Sequence, residues 1–287
     1  MRRKTICIVI AIVAFLVALG ITLYPVISTW YNERHQSRIH IQYQETIRKV
    51  DGGKLAEEKE KAVAYNLTIK PGALQTGSSG QEAEAIEQYK NLLNLLGNGT
   101  MGYVEIPAIG VTLPIYHGTN SNTLERGVGH LLGTSLPVGG ESTHTVLTAH
   151  SGMATMKMFS DLDQIEPGDV FFLEVLGETL AYQVDQIKVV LPHDTTYLGV
   201  TTGEDQCTLV TCTPFGVNSH RLLVRGSRIH YEEAQEISND MGKRPQRTST
   251  WEKEYLKGLY IGLGVALLLA LVIAFVYGIR RWRRAHS

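Results

Sequence analysis

Cysteine is scarce in this chain: there are three, Cys7, Cys207 and Cys212. Cys7 lies in an apolar run, and Cys207 and Cys212 stand five positions apart. On one continuous strand an odd spacing sends the two side chains to opposite faces, so neither a disulfide nor a shared metal site is expected of them. Charge of one sign is also lacking, since the net charge is −1, and a polyanionic partner is not implied. No internal repeat is visible, which sets solenoids and propellers aside. The charge that is present is unevenly placed. Arg2, Arg3 and Lys4 open the sequence and Arg280, Arg281, Arg283 and Arg284 close it. Without these the rest of the chain is acidic, which disfavours nucleic-acid binding by the middle. A domain without crosslinks must bury a sizeable core. The stretch Met101–Tyr231 is of ordinary domain length and can do so.

What the chain has in plenty is apolar runs. Thr5–Ile27 is almost wholly apolar and about as long as a membrane-spanning helix needs to be. The basic residues before it place its start in the cytoplasm. A cleaved signal peptide is the alternative, with Ala18 and Gly20 as small residues at the cut. The run is long for that, so residues 1–29 read as an uncleaved anchor. A second apolar run, Leu256–Tyr277, is followed by the closing arginine cluster. Residues 255–279 therefore read as another transmembrane helix and 280–287 as a basic cytoplasmic tail. This gives two passes, both termini cytoplasmic, and an extracellular middle.

Residues 30–97 read as an N-terminal helical region with a candidate lid-like loop. Ile39, Ile41, Tyr43, Ile47 and Val50 suit one side of a helix, which Asp51-Gly52-Gly53 breaks. A second helix is predicted over Lys54–Tyr65, a loop over Thr68–Gly80 and a third helix over Glu82–Leu96, with Gly97 as its C-terminal cap. Asn66-Leu-Thr68 and Asn98-Gly-Thr100 are formal glycosylation triplets that carry little weight. From residue 98 to 232 the texture is β-rich. Strands are predicted near Met101–Ile106, Val111–Tyr116, Thr145–Ala149, Val170–Leu176, Thr179–Leu191, Gln206–Cys212 and Arg221–Tyr231, with a short helix over Ser151–Leu162. Many short strands and few helices suggest a closed barrel or sandwich. Residues 233–254 read as a linker.

The chemistry concentrates in Thr208–Arg221. A short strand ends on Cys212, a turn with Pro214, Gly216 and Asn218 follows, and the next strand opens with Arg221. A thiol can act as a nucleophile, and a guanidinium can hold a developing oxyanion. The base is missing locally and must come from elsewhere among ten histidines. His150 directly follows a predicted strand, as Cys212 ends one, so a barrel rim can bring them together. His130 and His220 remain rivals on local pattern.

The run Thr208-Leu-Val-Thr-Cys212, with Arg221 nine residues on, resembles the nucleophile segment of the sortases of Gram-positive bacteria. Thr213-Pro-Phe-Gly-Val-Asn-Ser-His-Arg-Leu-Leu-Val-Arg-Gly226 resembles their pilus-building class C in particular. Thr143-His-Thr-Val-Leu-Thr-Ala-His150 matches the histidine segment, and Ile106-Pro-Ala-Ile-Gly-Val-Thr-Leu-Pro-Ile-Tyr-His117 the opening strands. The resemblance implies a mainly β fold: a sortase-type closed β-barrel with short helices, preceded by N-terminal helices and flanked by two transmembrane helices. It implies Cys212 as nucleophile, His150 as general acid and base, and Arg221 as oxyanion stabiliser and substrate positioner, with no cofactor and no metal. It also implies the reaction: cleavage of a Leu-Pro-x-Thr-Gly-like (LPXTG-like) sorting signal between Thr and Gly, a thioester intermediate, and transfer to a lysine amine of a second pilin. The partners are then pilin subunits and the membrane, with no nucleic acid. The Asp-Pro-aromatic lid motif common in class C does not occur between Trp30 and Met101, where Pro71 is the one proline. The alternative is a housekeeping sortase that anchors surface proteins to peptidoglycan; the second apolar run argues against it. A cell-wall L,D-transpeptidase would need a Ser-x-Gly-Cys segment that is not found, and a non-enzymatic adhesin would need no Cys/His/Arg set.

Overall fold

A computed structural model describes residues 2–69, 82–153, 155–241 and 250–285. The chain divides into two units. One comprises residues 1–33, 154–156 and 250–287; the other comprises residues 34–153 and 157–249.

The larger unit is built on a closed eight-stranded barrel. Its strands are β1 (Thr100–Ile106), β2 (Val111–His117), β3 (Val128–His130), β4 (Thr143–Thr148), β5 (Val170–Val175), β6 (Glu178–Val190), β7 (Asp205–Thr213) and β8 (His220–Ile229). Around the barrel the order is β1-β2-β3-β4-β7-β8-β6-β5. β4 and β7 run parallel, as do β2 and β3; the other neighbours are antiparallel. Alternation along each strand fills the interior: Val104, Leu147, Phe171, Leu173, Leu209 and Val224 are all completely buried there. Closure leaves no free sheet edge, which disposes of an aggregation hazard in a β-rich domain.

Helices cover the outside. Helix α1 (Arg2–Lys49) ends where Asp51 caps α2 (Gly52–Asn66), its carboxylate accepting from the Gly53 N–H at 2.9 Å. Tyr43 and Ile47 of α1 bury against Tyr103 on β1. The buried Asn66 amide clasps Leu136: its Nδ2 donates to the Leu136 carbonyl at 3.1 Å and its Oδ1 accepts from the Leu136 N–H at 2.7 Å. A side chain used at both ends is no glycan acceptor. Helix α3 (Glu82–Asn91) is fixed by Tyr89, whose hydroxyl lies 2.8 Å from the buried His130 Nδ1 and accepts from the Gly118 N–H at 3.0 Å.

Several elements differ from expectation. Helix α1 runs without a break from Arg2 to Lys49, through Gly20 and Pro25, so the expected anchor and the first polar helix are one element. The strand β3 and helix α4 (Ser121–Arg126) were too short to show a period. The described residues of Ser151–Leu162 form no helix; Gly152 and Met158 take positive φ, which no helix tolerates, and a 3-10 turn forms at Leu162–Gln164. The expected linker 233–254 opens instead within helix α5 (Tyr231–Met241), whose Ala234 and Met241 bury against Val170, Phe172 and Ala181. Its apolar stripe is sparse, so composition concealed it. Most of the expected loop Thr68–Gly80, and residues 242–249, lie outside the described residues.

In the smaller unit, helix α6 (Thr250–Ala285) contains Lys253–Phe275, 23 residues long and apolar enough to cross a membrane. Towards the N-terminus the apolar stretch among the described residues is Ile12–Tyr24, shorter than a span requires. Of the two expected spans, the C-terminal one alone meets the length and composition criterion among the described residues.

Candidate active site

Cys212 on β7 and Arg221 on β8 are direct partners across an antiparallel ladder, so their side chains leave the same face. On the other side of β7 lies β4. Thr148 pairs with Val210, and the Ala149 N–H donates to the Val210 carbonyl at 3.1 Å, carrying the parallel ladder past the end of β4. The same register brings His150 level with Cys212. The buried Thr211 hydroxyl reinforces this by donating to the Ala149 carbonyl at 2.9 Å. The register thus sets His150, just past the end of β4, in one row with Cys212 on β7 and Arg221 on β8, near the rim.

Local sequence explains why the row sits at strand ends. After His150 the chain breaks away at Gly152, with φ of 83°. The loop folds back, the Phe159 N–H donating to the His150 carbonyl at 3.1 Å and the Gly152 N–H to Ser160 Oγ at 3.0 Å. After Cys212 the turn is closed by the Pro214 carbonyl, which accepts from the N–H groups of Val217 and Asn218 at 3.0 Å each. The Phe215 ring lies against Gly152, 3.5 Å from where a Cβ would stand, so the two loops meet. A side chain at Gly152 would fit against that ring but strain the backbone, whose φ is positive.

Below the row on the same face, Val146, Val190, Leu198, Val210 and Leu223 form a buried apolar cluster. Leu198 comes from the long β6–β7 connection. His144 pins that connection, Nδ1 lying 2.8 Å from the Gly199 carbonyl and Nε2 2.7 Å from the Thr208 hydroxyl. Burial holds the His144 imidazole below its ordinary pKa.

Cys212 and His150 are half-buried, and neither side chain has a hydrogen-bond partner among the described residues. Arg221 Nη1 donates to the carbonyls of Asn218 (3.3 Å) and His220 (3.0 Å). Its Nε and Nη2 have no partner among the described residues. Cys207 behaves oppositely. It is fully buried, and loss of hydration pushes its thiol well above the usual range, with Asp205 adding to the shift. Buried thiols of this kind are inert.

The rival histidines are placed elsewhere. His130 is wholly buried, with Nε2 2.9 Å from the Ser135 carbonyl, and burial pushes its pKa down to about 4. His220 pairs with Thr213, the neighbour of Cys212, and therefore faces away from the row; its Nδ1 lies 2.9 Å from Ser219 Oγ. Sequence reading missed Thr211, Phe215 and His144 as builders of the site. The signal for Thr211 was its place immediately before Cys212, where strand alternation turns its side chain inward.

A half-buried thiol in register with a histidine and an arginine at the rim of a closed barrel is a candidate cysteine-dependent site. The chain belongs to the sortase family: the sortase domain matches residues 104–229, and the chain covers nearly the whole length of similar solved structures. Sortase C1 of Streptococcus agalactiae is 42% identical with a TM-score of 0.64, covering 67% of this chain and 98% of that one. Sortase C of Streptococcus pneumoniae is 45% identical, TM-score 0.59, covering 68% and 97%. Sortase D of Bacillus subtilis is 30% identical over 131 residues, which is 45% of this chain. The chain spans 63% of the length of that curated relative and 47% of Streptococcus agalactiae sortase A, to which it is 28% identical over 117 residues.

Proposed function

We propose that this chain is a membrane-anchored cysteine transpeptidase that polymerises pilin subunits. The observation that carries the reading is the row: Cys212 between His150 and Arg221 in the strand register, with the thiol, the imidazole and the Arg221 Nε and Nη2 without partners among the described residues. The similarity to sortase C of Streptococcus pneumoniae, whose structure bears on pilin substrate specificity, supports the choice of substrate.

In this reading the Cys212 thiolate attacks the carbonyl carbon of the threonine in an LPXTG-like signal. The Arg221 guanidinium, which cannot lose its charge, holds the oxyanion. The bond from that carbon to the glycine nitrogen breaks, His150 supplies the proton to the leaving amine, and a thioester remains. A neutral lysine ε-amine of a second pilin then attacks the thioester. Its proton passes to His150, the thiolate leaves, and an isopeptide bond is formed. The apolar cluster beneath the row supplies a wall of low polarity that strengthens these charge interactions. The apolar stretch of α6 supports attachment to a membrane, and the basic flanks of the chain support two passes with both termini cytoplasmic. Attachment to the same surface as a membrane-tethered substrate raises the effective concentration of each for the other.

The test is to incubate the full chain with a pilin carrying a sorting signal and follow products by gel and mass spectrometry. A thioester on Cys212 and a ladder of pilin multimers are expected. Multimers formed by Cys212→Ala would overturn the nucleophile. Transfer to peptidoglycan-type amines without multimers would favour the housekeeping reading.

A further inference from the structure

Across the barrel from Cys212, a cleft of about 90 Å³ opens on the outer face of β1 and β5. Its floor follows from register. Tyr103 pairs with Glu174, and Glu105 pairs with both Phe172 and Thr112, so these side chains share one face. His40 of α1 and Tyr231 of α5 form the walls. The Phe172 and Tyr231 rings meet edge to face at 6.1 Å, and Tyr103 lies 4.4 Å from the His40 ring.

The polar groups favour one class of ligand. Glu174 is held ionised by His40 Nε2 at 2.8 Å and Gln44 Nε2 at 3.2 Å. Glu105 is exposed and makes no ion pair among the described residues. Tyr103, with 1% of its surface exposed, has a hydroxyl without a hydrogen-bond partner. Among the described residues no lysine or arginine lines the cleft, and its two carboxylates disfavour an anion. Aromatic walls cannot ligate a metal, and among the described residues no group of three or more His, Cys, Asp or Glu is disposed to hold one. Aromatic faces beside carboxylates are what a compact organic cation needs. The space suits an ammonium head and the end of an alkyl chain, and is too small for a drug-sized molecule.

We propose that this cleft binds a primary alkylammonium group, such as the end of a lysine side chain. It does not depend on the acyl-transfer reading, and Glu105→Gln is expected to leave turnover at Cys212 unchanged, so the two readings fail separately. The experiment is saturation-transfer NMR on the full chain in maltoside micelles. The probes are n-butylammonium, its neutral counterpart n-butanol, and the peptide acetyl-Gly-Lys-Gly-amide. Saturable n-butylammonium binding is expected, about tenfold tighter than n-butanol. Glu105→Gln should weaken it about fivefold, and Thr112→Phe, at an exposed position on the cleft, should block it. Circular dichroism of both variants checks that the fold is intact. Binding of the peptide as well assigns the cleft to protein-borne lysines; binding of n-butylammonium alone assigns it to free amines. Equal affinity for n-butylammonium and n-butanol, or an undiminished signal in Glu105→Gln with native dichroism, would overturn the proposal.

Discussion

Two regions of the barrel use histidine beside a partner side chain, to opposite ends. In the row at the rim, His150 stands half-buried with an uncommitted ring beside Cys212 and Arg221. In the clamp under α3, His130 is sealed between Tyr89 and the Ser135 carbonyl, and His117 lies with its ring nitrogens 3.0 Å from the Gly99 carbonyl and 2.7 Å from that of Leu92. The residue type is shared; hydration and commitment differ. A ring with both nitrogens occupied in a dry site holds structure together, whereas a half-buried ring past a strand end, without a hydrogen-bond partner among the described residues, is open to a substrate. The cysteines repeat the lesson on a single strand. Cys207 faces inward and is inert, while Cys212, on the other face and at the end, is available.

The comparison can be broken in several ways. The largest effect is expected from Cys212→Ala, which should lower turnover of a sorting-signal peptide at least about a thousandfold; measured release of the glycine fragment at a comparable rate would remove the row's claim to chemistry. Arg221→Lys keeps the charge but loses the planar fork, and kcat should fall about a hundredfold with a smaller change in KM. At the clamp, Tyr89→Phe should leave kcat alone yet cost about 1–3 kcal/mol in denaturant unfolding, because it strips partners from buried His130 and from the Gly118 N–H.

A pH titration sharpens the same contrast. The folded-state pKa of His130 lies below its unfolded value, at about 4. Between roughly pH 6.5 and that point the unfolded chain binds the extra proton and the folded chain does not. The stability this group contributes is therefore fully present above that window and lost as pH falls through it. Ring nitrogen shifts should show His130 neutral at pH 5, and an imidazolium signal there would contradict the sealed clamp. The smallest effect is expected from Phe215→Ala, a few-fold loss of turnover without loss of the fold, because the two loops at the row lose one contact among several.

Much of this was legible beforehand. Seven of the eight strands show their alternation in sequence within a residue or two of each end, and Cys212 and Arg221 announce themselves by the short turn between them. Asp51 before two glycines marked the break between helices because capping is local chemistry. The irregular loop after His150 was not legible: it is held by backbone bonds from Phe159 and Gly152 that carry no sequence signature. Helix α5 was not legible either, since a few contacts made by Ala234 and Met241 are enough to dock it on a barrel already formed.

Sequence by itself determined that Cys207 and Cys212 face opposite ways, that the strand carrying Cys212 returns directly through Arg221, and that a C-terminal stretch is long and apolar enough to span a membrane. These are matters of period, spacing and length, which neighbours along the chain decide. Tertiary structure decided which of ten histidines comes level with Cys212 in the strand register. That choice depends on the parallel pairing of β4 with β7, a contact between segments some sixty residues apart. Such pairing is settled by closure of the whole barrel and the filling of its interior, and no local pattern encodes it.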